Sequence, residues 1–309
     1  MRIITDDIDF AKRYYPDLDY HRINENQSEF DLNFVRKHFF ENDNIYISNL
    51  EHDFWNQCII IKEAQKSQYD ILIELMGKNQ KLVENTICLT GISKKLHGFR
   101  NRPWKSELGN IHLSFYLKPD IEVENPTAVF LALAAVSTLK AIRKSGKFKI
   151  QPMIKWVNDI FFDISKVAGV LAHTVQMKRE IKGVVIGIGI NVNSIPEVEP
   201  TKFVPSITSI NEQIKGDKIT EIVTFNHLID EIKINYELVL KGQSDLIIEE
   251  YKKNSMLLGK KVRIWSDPII NEEPKILHEG IVTKIGNSLE LFIDNLDVPI
   301  INGRPEVMN

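Results

Sequence analysis

From Asn56 onward the chain alternates short apolar runs with longer segments of helical spacing. Residues 58–61 are continuously apolar over a strand's length, and residues 69–76 place Leu72, Leu75 and Met76 on one helical face before Gly77. Residues 86–90 and 111–117 read as strands on either side of a basic, glycine-containing loop, 94–105. Asn125-Pro126 marks a helix start, and the following residues are apolar almost all round through Ile142, with a stop at Ser145-Gly146, so this helix is expected to be buried. Its uncharged stretch, 126–139, is too short to cross a bilayer.

Short β-branched runs around 149–157, 160–163, 167–174 and 184–192 predict one mixed sheet. Ile222, Phe225, Leu228, Ile229, Ile232 and Tyr236 recur at helical spacing, and Ser244 reads as the cap of a further helix through Tyr251. The core is expected to end near Leu257. After Gly259 the pattern becomes alternation, with a turn at Asn287-Ser288, and fits a small β-barrel. Residues 1–56 read differently. Aromatic pairs (Tyr14-Tyr15, Phe39-Phe40) stand among Asp, Asn and His without a sustained period, which predicts an irregular extension lacking a capped helix pair and packed on something else. Three units follow: an extension, 1–56; a catalytic-type domain, 57–257; and a barrel, 258–309.

Composition adds bounds. Of 309 residues, 43% are apolar and 26% charged, which excludes disordered, collagen-like and disulfide-scaffold classes. A net charge of −3 supplies no global basic field, so any phosphate must be met by a local cluster, and sequence-tracking DNA binding is not expected. Cys58 and Cys88 sit in apolar runs, and Asp6, Asp7 and Asp9 replace any signal-like start. The expectation is a soluble, cytoplasmic protein away from membranes.

Several residues carry candidate chemistry, each with a bland alternative. Lys166 lies three residues before Gly169, where open backbone lets a ligand approach and a lysine can meet an anion; it also fits a strand-end lysine with a solvated head. Asn158-Asp159 fits a site or a plain Asx turn. Gly187-Ile188-Gly189 fits close ligand approach or strand packing. Lys94, Lys95, Arg100, Arg102 and Lys105 around Trp104 fit a phosphate-and-ring clamp or a solvated loop. Ser67 fits a helix cap.

In order, Lys155-Trp156-Val157-Asn158-Asp159, then Lys166-Val167-Ala168-Gly169-Val170-Leu171 eleven residues on, then Val185-Ile186-Gly187-Ile188-Gly189-Ile190-Asn191-Val192 resemble the biotin protein ligase family, related to lipoate ligases. The likeness spans about 57–309. It implies an α+β fold with a mixed-sheet catalytic domain of the class II aminoacyl-tRNA-synthetase-like type and a C-terminal SH3-like barrel. It also implies roles. Lys166 would bridge the biotin carboxylate and the ATP α-phosphate, Asn158 would contact adenine, and Asp159 would support the centre. Lys155, Gly169 and Val170 would line the site, and Gly189, Ile190 and Asn191 would form an adenylate-facing strand. Gly98, Arg100, Arg102 and Trp104 fall on the family's glycine-and-arginine loop, and Ser67 and Gln68 on its biotin-ring element.

The chain also departs from the family. Val157 and Glu107 replace prolines, Leu96 and Asn101 replace loop glycines, His97 and Phe99 replace loop arginines, Gln68 and Tyr69 differ in the ring element, and Ser93 stands for a glutamine. Trp104 is expected to cover adenine once the loop closes. The implied reaction is ATP- and Mg²⁺-dependent attachment of biotin, through biotinyl-5′-AMP, to a lysine of a biotin carboxyl carrier domain, without a DNA-binding repressor part. A lipoate or octanoate ligase, and a non-catalytic binding homologue, are the alternatives.

Overall fold

The computed structural model describes residues 1–23, 30–41, 44–267 and 273–308. The N-terminal segment holds β1 (Arg2–Thr5), α1 (Ile8–Lys12), β2 (His21–Arg22), α2 (Phe30–Phe39) and β3 (Tyr46–Asn49). The expectation of an irregular extension is thereby corrected. β1 pairs in parallel with β4 (Gln57–Glu63) and antiparallel with β3, so the segment adds strands to the main sheet. α1 is a capped helix, with Asp7 accepting from the Phe10 amide at 2.8 Å, and Lys62 of β4 reaches the same carboxylate at 2.9 Å. The pattern hid this because the strands are short and one pairing is with a strand more than fifty residues on.

The central part contains α3 (Gln68–Gly77), β5 (Thr86–Ile92), β6 (Ile111–Leu117), β7 (Ile121–Glu122), α4 (Pro126–Ser145), β8 (Lys147–Phe148), β9 (Met153–Lys155), β10 (Asp159–Phe162), β11 (Ser165–Met177) and β12 (Glu180–Ile190). After these come β13 (Ser206–Ile207), α5 (Ile210–Gln213), β14 (Ile214–Lys215), α6 (Glu221–Leu240) and α7 (Ser244–Lys253). Among the described residues the main sheet is mixed, in the order β2-β3-β1-β4-β5-β6-β12-β11-β10-β9, as the run pattern predicts from β4 onward. Gln243 rather than Ser244 stands at the α7 cap, with no side-chain capping bond. Asn125 caps α4 by position alone, in the left-handed region at φ 49°.

α4 covers one face of the sheet and packs on β11 and α6. At 20 residues the whole helix is long and apolar enough to span a membrane by length and composition alone, and most of its surface is buried in this fold. α3 covers the other face, where Leu72, Leu75 and Met76 pack with Ile59, Ile61 and Val185.

β15 (Lys261–Trp265), β16 (Ile276–Ile285), β17 (Leu291–Ile293) and β18 (Arg304–Val307) form an antiparallel sheet in the order β17-β16-β15-β18, consistent with a small SH3-like unit. It packs on the catalytic-type domain at the Lys155–Asp159 segment. The Trp156 indole N–H donates to Leu289 O at 2.5 Å, while from the domain's own α7 the Tyr251 hydroxyl donates to Val157 O at 2.9 Å.

Candidate active site

The sheet face beneath α3 is cut away at the cavity by glycine. A Cβ built on Gly187 would come within 2.9 Å of the Tyr69 ring, and one on Gly189 within 2.5 Å of the Trp104 indole. Both residues lie on β12 two apart, hence on one face. Past the N-terminus of α3, the loop carrying Trp104 takes over as the cover. Between floor and cover lies a cavity of about 450 Å³, lined by Gln68, Tyr69, Trp104, His112, Lys155, Asn158, Asp159, Lys166 and others.

Register explains what faces this cavity. Lys155 opposes Asp159, Asp159 opposes Gly169, Gly169 opposes Gly189, Gly189 opposes His112, and His112 opposes Thr90. Directly opposed residues share a sheet face, so these six form one row across six strands. Cationic and acidic groups stand at one end, bare backbone in the middle, and neutral acceptors at the other end.

Lys166 is three residues from Gly169, and strict alternation would turn it to the opposite face. A β-bulge between Ile160 and Phe161, opposite this stretch of β11, changes the parity. The ammonium thereby comes to 2.6 Å from Asp159 Oδ1, and a Cβ on Gly169 would lie 3.2 Å from it. The Lys166 ammonium also stands 5.3 Å from the Trp104 ring centroid. The solvated-head alternative does not describe it. Lys155 is buried, donates to Phe203 O at 2.6 Å, and lies 4.8 Å from the Phe161 ring; burial brings its ammonium down to about 8.

Asn158 is spent on the fold: its amide donates to Val170 O at 2.8 Å, and Val170 N donates back to Asn158 O at 2.9 Å. The Val170 side chain is buried in the apolar core. Ile190 also turns into that core, fully buried, and is corrected as a cavity residue. Asn191 does line the cavity, donating to Thr208 O at 3.1 Å while its buried Oδ1 has no partner among the described residues.

The loop is a compact hairpin closed by its own backbone bonds. Gly98 N donates to Arg102 O at 2.7 Å and Trp104 N to Leu96 O at 3.0 Å. Arg100 and Asn101 turn it in the left-handed region, at φ 55° and 56°, and Asn tolerates that region better than most residues. A Cβ built on Gly98 would meet Arg102 O at 3.8 Å, ordinary contact. Arg100 and Arg102 do not point at the glycine floor; both reach the buried carboxylate of Asp267, at 3.3 and 3.2 Å, and Arg100 also donates to the Asp267 carbonyl. Arg304 of β18 adds a third cation at 4.0 Å. Trp104 already lies in the cavity, so its placement there does not wait for a nucleotide.

His97 holds the other side of the loop, 2.8 Å from Asp70 on α3. Burial opposes its protonation, but hydrogen bonding to Asp70 and to Gly98 O prevails and raises it above the ordinary imidazole value of 6.5. A raised value makes the contact fully present below 6.5 and lost as pH climbs through the raised value. Its contribution, for a partly exposed pair, is under about 1 kcal/mol. Hydrogen exchange of the Gly98 and Trp104 amides, corrected for intrinsic rates, should therefore speed up with rising pH, and the pH effect should vanish in His97→Ala.

The ring element is occupied by its own bonds. Ser67 Oγ accepts from the Asp70 amide at 3.3 Å, as a cap does. Gln68 is buried, accepts from the Thr90 hydroxyl and donates to Lys66 O at 3.2 Å. Sequence reading missed His112 and Asp267. His112 and Ser114 are polar at alternate positions of an otherwise apolar strand, which is a usable signal. Asp267 had none, being over 160 residues from the arginines it binds.

Residues 61–191 match the biotin/lipoate A/B protein ligase family. The bifunctional ligase/repressor BirA of Bacillus subtilis is 30% identical over 181 residues, 58% of this chain and 54% of that protein. The chloroplastic biotin–protein ligase 1 of Arabidopsis thaliana is 29% identical over 138 residues, 44% of this chain and 35% of that one. The chain thus spans about half the length, or less, of the curated relatives it matches. In fold, the biotin protein ligase of Aquifex aeolicus, solved with biotin and ATP, is similar at a TM-score of 0.62 and 22% identity, covering 82% of this chain and 100% of that one.

Proposed function

From the premise that residues 61–191 carry the domain of the biotin/lipoate A/B protein ligase family, we propose that this chain activates biotin with ATP and transfers it to a lysine of a biotin carboxyl carrier domain. The observation that carries the reading is the Lys166–Asp159 pair set beside Gly169 and Gly189, with Trp104 as the cover. A carboxylate is a poor acyl donor until its oxygen is replaced by a better leaving group. The biotin carboxylate oxygen attacks the α-phosphorus, the bond to the bridging oxygen breaks, and pyrophosphate leaves. A lysine amine then attacks the acyl carbon, loses a proton, and expels AMP. Lys166 stabilises the charge that gathers between carboxylate and phosphate, and the glycines let both lie against the strand backbone.

Mg²⁺ enters as part of the ATP substrate. Asp159 is a carboxylate within reach of the same cavity, and Mg²⁺ commonly binds by one or two carboxylates plus phosphate oxygens, so the residues fit that use. The unpartnered Asn191 Oδ1 is an acceptor suited to a nucleotide hydroxyl or amino group. Free, buried Cys58 and Cys88 agree with a reducing, cytoplasmic setting. The repressor role printed for the bacterial relatives is left with those proteins.

Incubation with ATP, Mg²⁺, a carrier domain and either biotin or lipoate, read by mass, tests the proposal. Biotinylated carrier is expected; lipoylated carrier, or none, overturns it. Asp267 gives a second check. It holds Arg100, Arg102 and Arg304 together and so keeps the loop shut over the adenylate. Asp267→Asn should raise stray biotinylation of albumin severalfold, and unchanged labelling would show that the Asp267 contacts do not control retention.

A further inference from the structure

His112 is 4% exposed, and its ring makes contacts at one nitrogen only. Nδ1 lies 3.1 Å from Gly91 O and 3.3 Å from Thr90 O. Both partners are carbonyl oxygens and can only accept, so Nδ1 carries the hydrogen and Nε2 is left with its lone pair. Burial keeps the ring neutral, its value pushed down to about 4. Nε2 is buried and has no partner among the described residues. A buried acceptor left unmade is costly, and such groups ordinarily have a partner.

The rest of the row says where that partner comes from. His112 lines the cavity, and Gly189 opposite it is the bare position beneath Trp104, whose own indole N–H is also unpartnered. Gln68, Thr90 and Ser67 are committed to one another or to backbone. His112 Nε2 is thus a buried, vacant acceptor at this end of the cavity. Gly169, beside Lys166, is two strands away from His112, about 10 Å at the usual strand spacing. An extended chain advances about 1.2 Å per bond, so a five-carbon acyl tail covers about 6 Å and its ring the remainder.

We infer that His112 Nε2 accepts a hydrogen bond from a ring N–H of the acid substrate, so that this histidine selects a cyclic ureide such as that of biotin over a ring without N–H groups. The inference rests on the proposed biotin activation and names the group that reads the ring, a task the altered ring element and Ser93 leave open. His112 is a specificity residue, remote from the reacting atoms.

Biotin and lipoate are titrated into the full chain by calorimetry, using wild type, His112→Phe, which has no lone pair, and His112→Gln, which restores an acceptor. Biotin Kd should weaken roughly ten- to hundredfold in His112→Phe and recover in part in His112→Gln. The loss should fall on the KM for biotin and not on that for ATP. A second readout needs no variant: with ¹⁵N-histidine in the wild-type chain, the lone-pair Nε2 signal should move upfield on biotin binding. Wild type that binds no biotin overturns the proposed function and this inference with it. Wild type that binds biotin with an unmoved Nε2 signal, or a folded His112→Phe that binds biotin equally well, overturns the inference alone.

Discussion

A Lys166→Ala variant loses adenylate formation by about a hundredfold or more while keeping its fold, since removing one preorganised charge contact at a developing anion has that size. The side chain adds no core volume, its carbonyl stays bonded to Thr208 N at 2.9 Å, and Asp159 is exposed enough for water to solvate it once the ammonium is gone. The measurement is biotin-dependent pyrophosphate exchange beside circular dichroism. Exchange near the wild-type rate in a folded variant would remove Lys166 from the chemistry.

Gly189→Ala is expected to follow, with turnover reduced roughly five- to a hundredfold. The new methyl would stand 2.5 Å from Trp104 Cε2 and Cζ2, so the indole must lift off the floor, and overpacking of this kind costs about 1–3 kcal/mol. Trp104 emission should shift to longer wavelength in the free protein. Gly183→Ala serves as the control, because there the methyl meets Met76 on the same strand and sheet face but outside the cavity. It should lower Tm and leave exchange intact. Equal losses of exchange in both variants would mean that strand packing, not the Trp104 seat, sets the effect.

The central strands and helices were legible because their patterns are long and bury on both faces: residues 111–117 and the start of α4 at Pro126 stand where periodicity puts them. The four-residue β1 was not, because its partner β4 lies far along the chain and a short strand has too few positions to establish a period. In the site, spacing left Lys166 open and the family resemblance singled it out with Gly169, but only the bulge beside Phe161 explains why an odd separation leaves both facing the cavity. Arg100 and Arg102 carried the right charge and misled about its direction, since the carboxylate that captures them is brought in by the C-terminal sheet.

The N-terminal strands bear on solubility as well as shape. With β1 in place, the first four residues of β4, Gln57 to Ile60, are paired on both sides, by β1 and by β5. The free margin on that side of the sheet passes to β2, only two residues long and carrying exposed His21 and Arg22. A short, charged margin is a poor template for a neighbouring molecule, whereas the Cys58-Ile59-Ile60-Ile61 run laid bare would be a good one. Removal of residues 1–56 should accordingly turn a dispersed protein into one that self-associates through β4, visible as concentration-dependent light scattering.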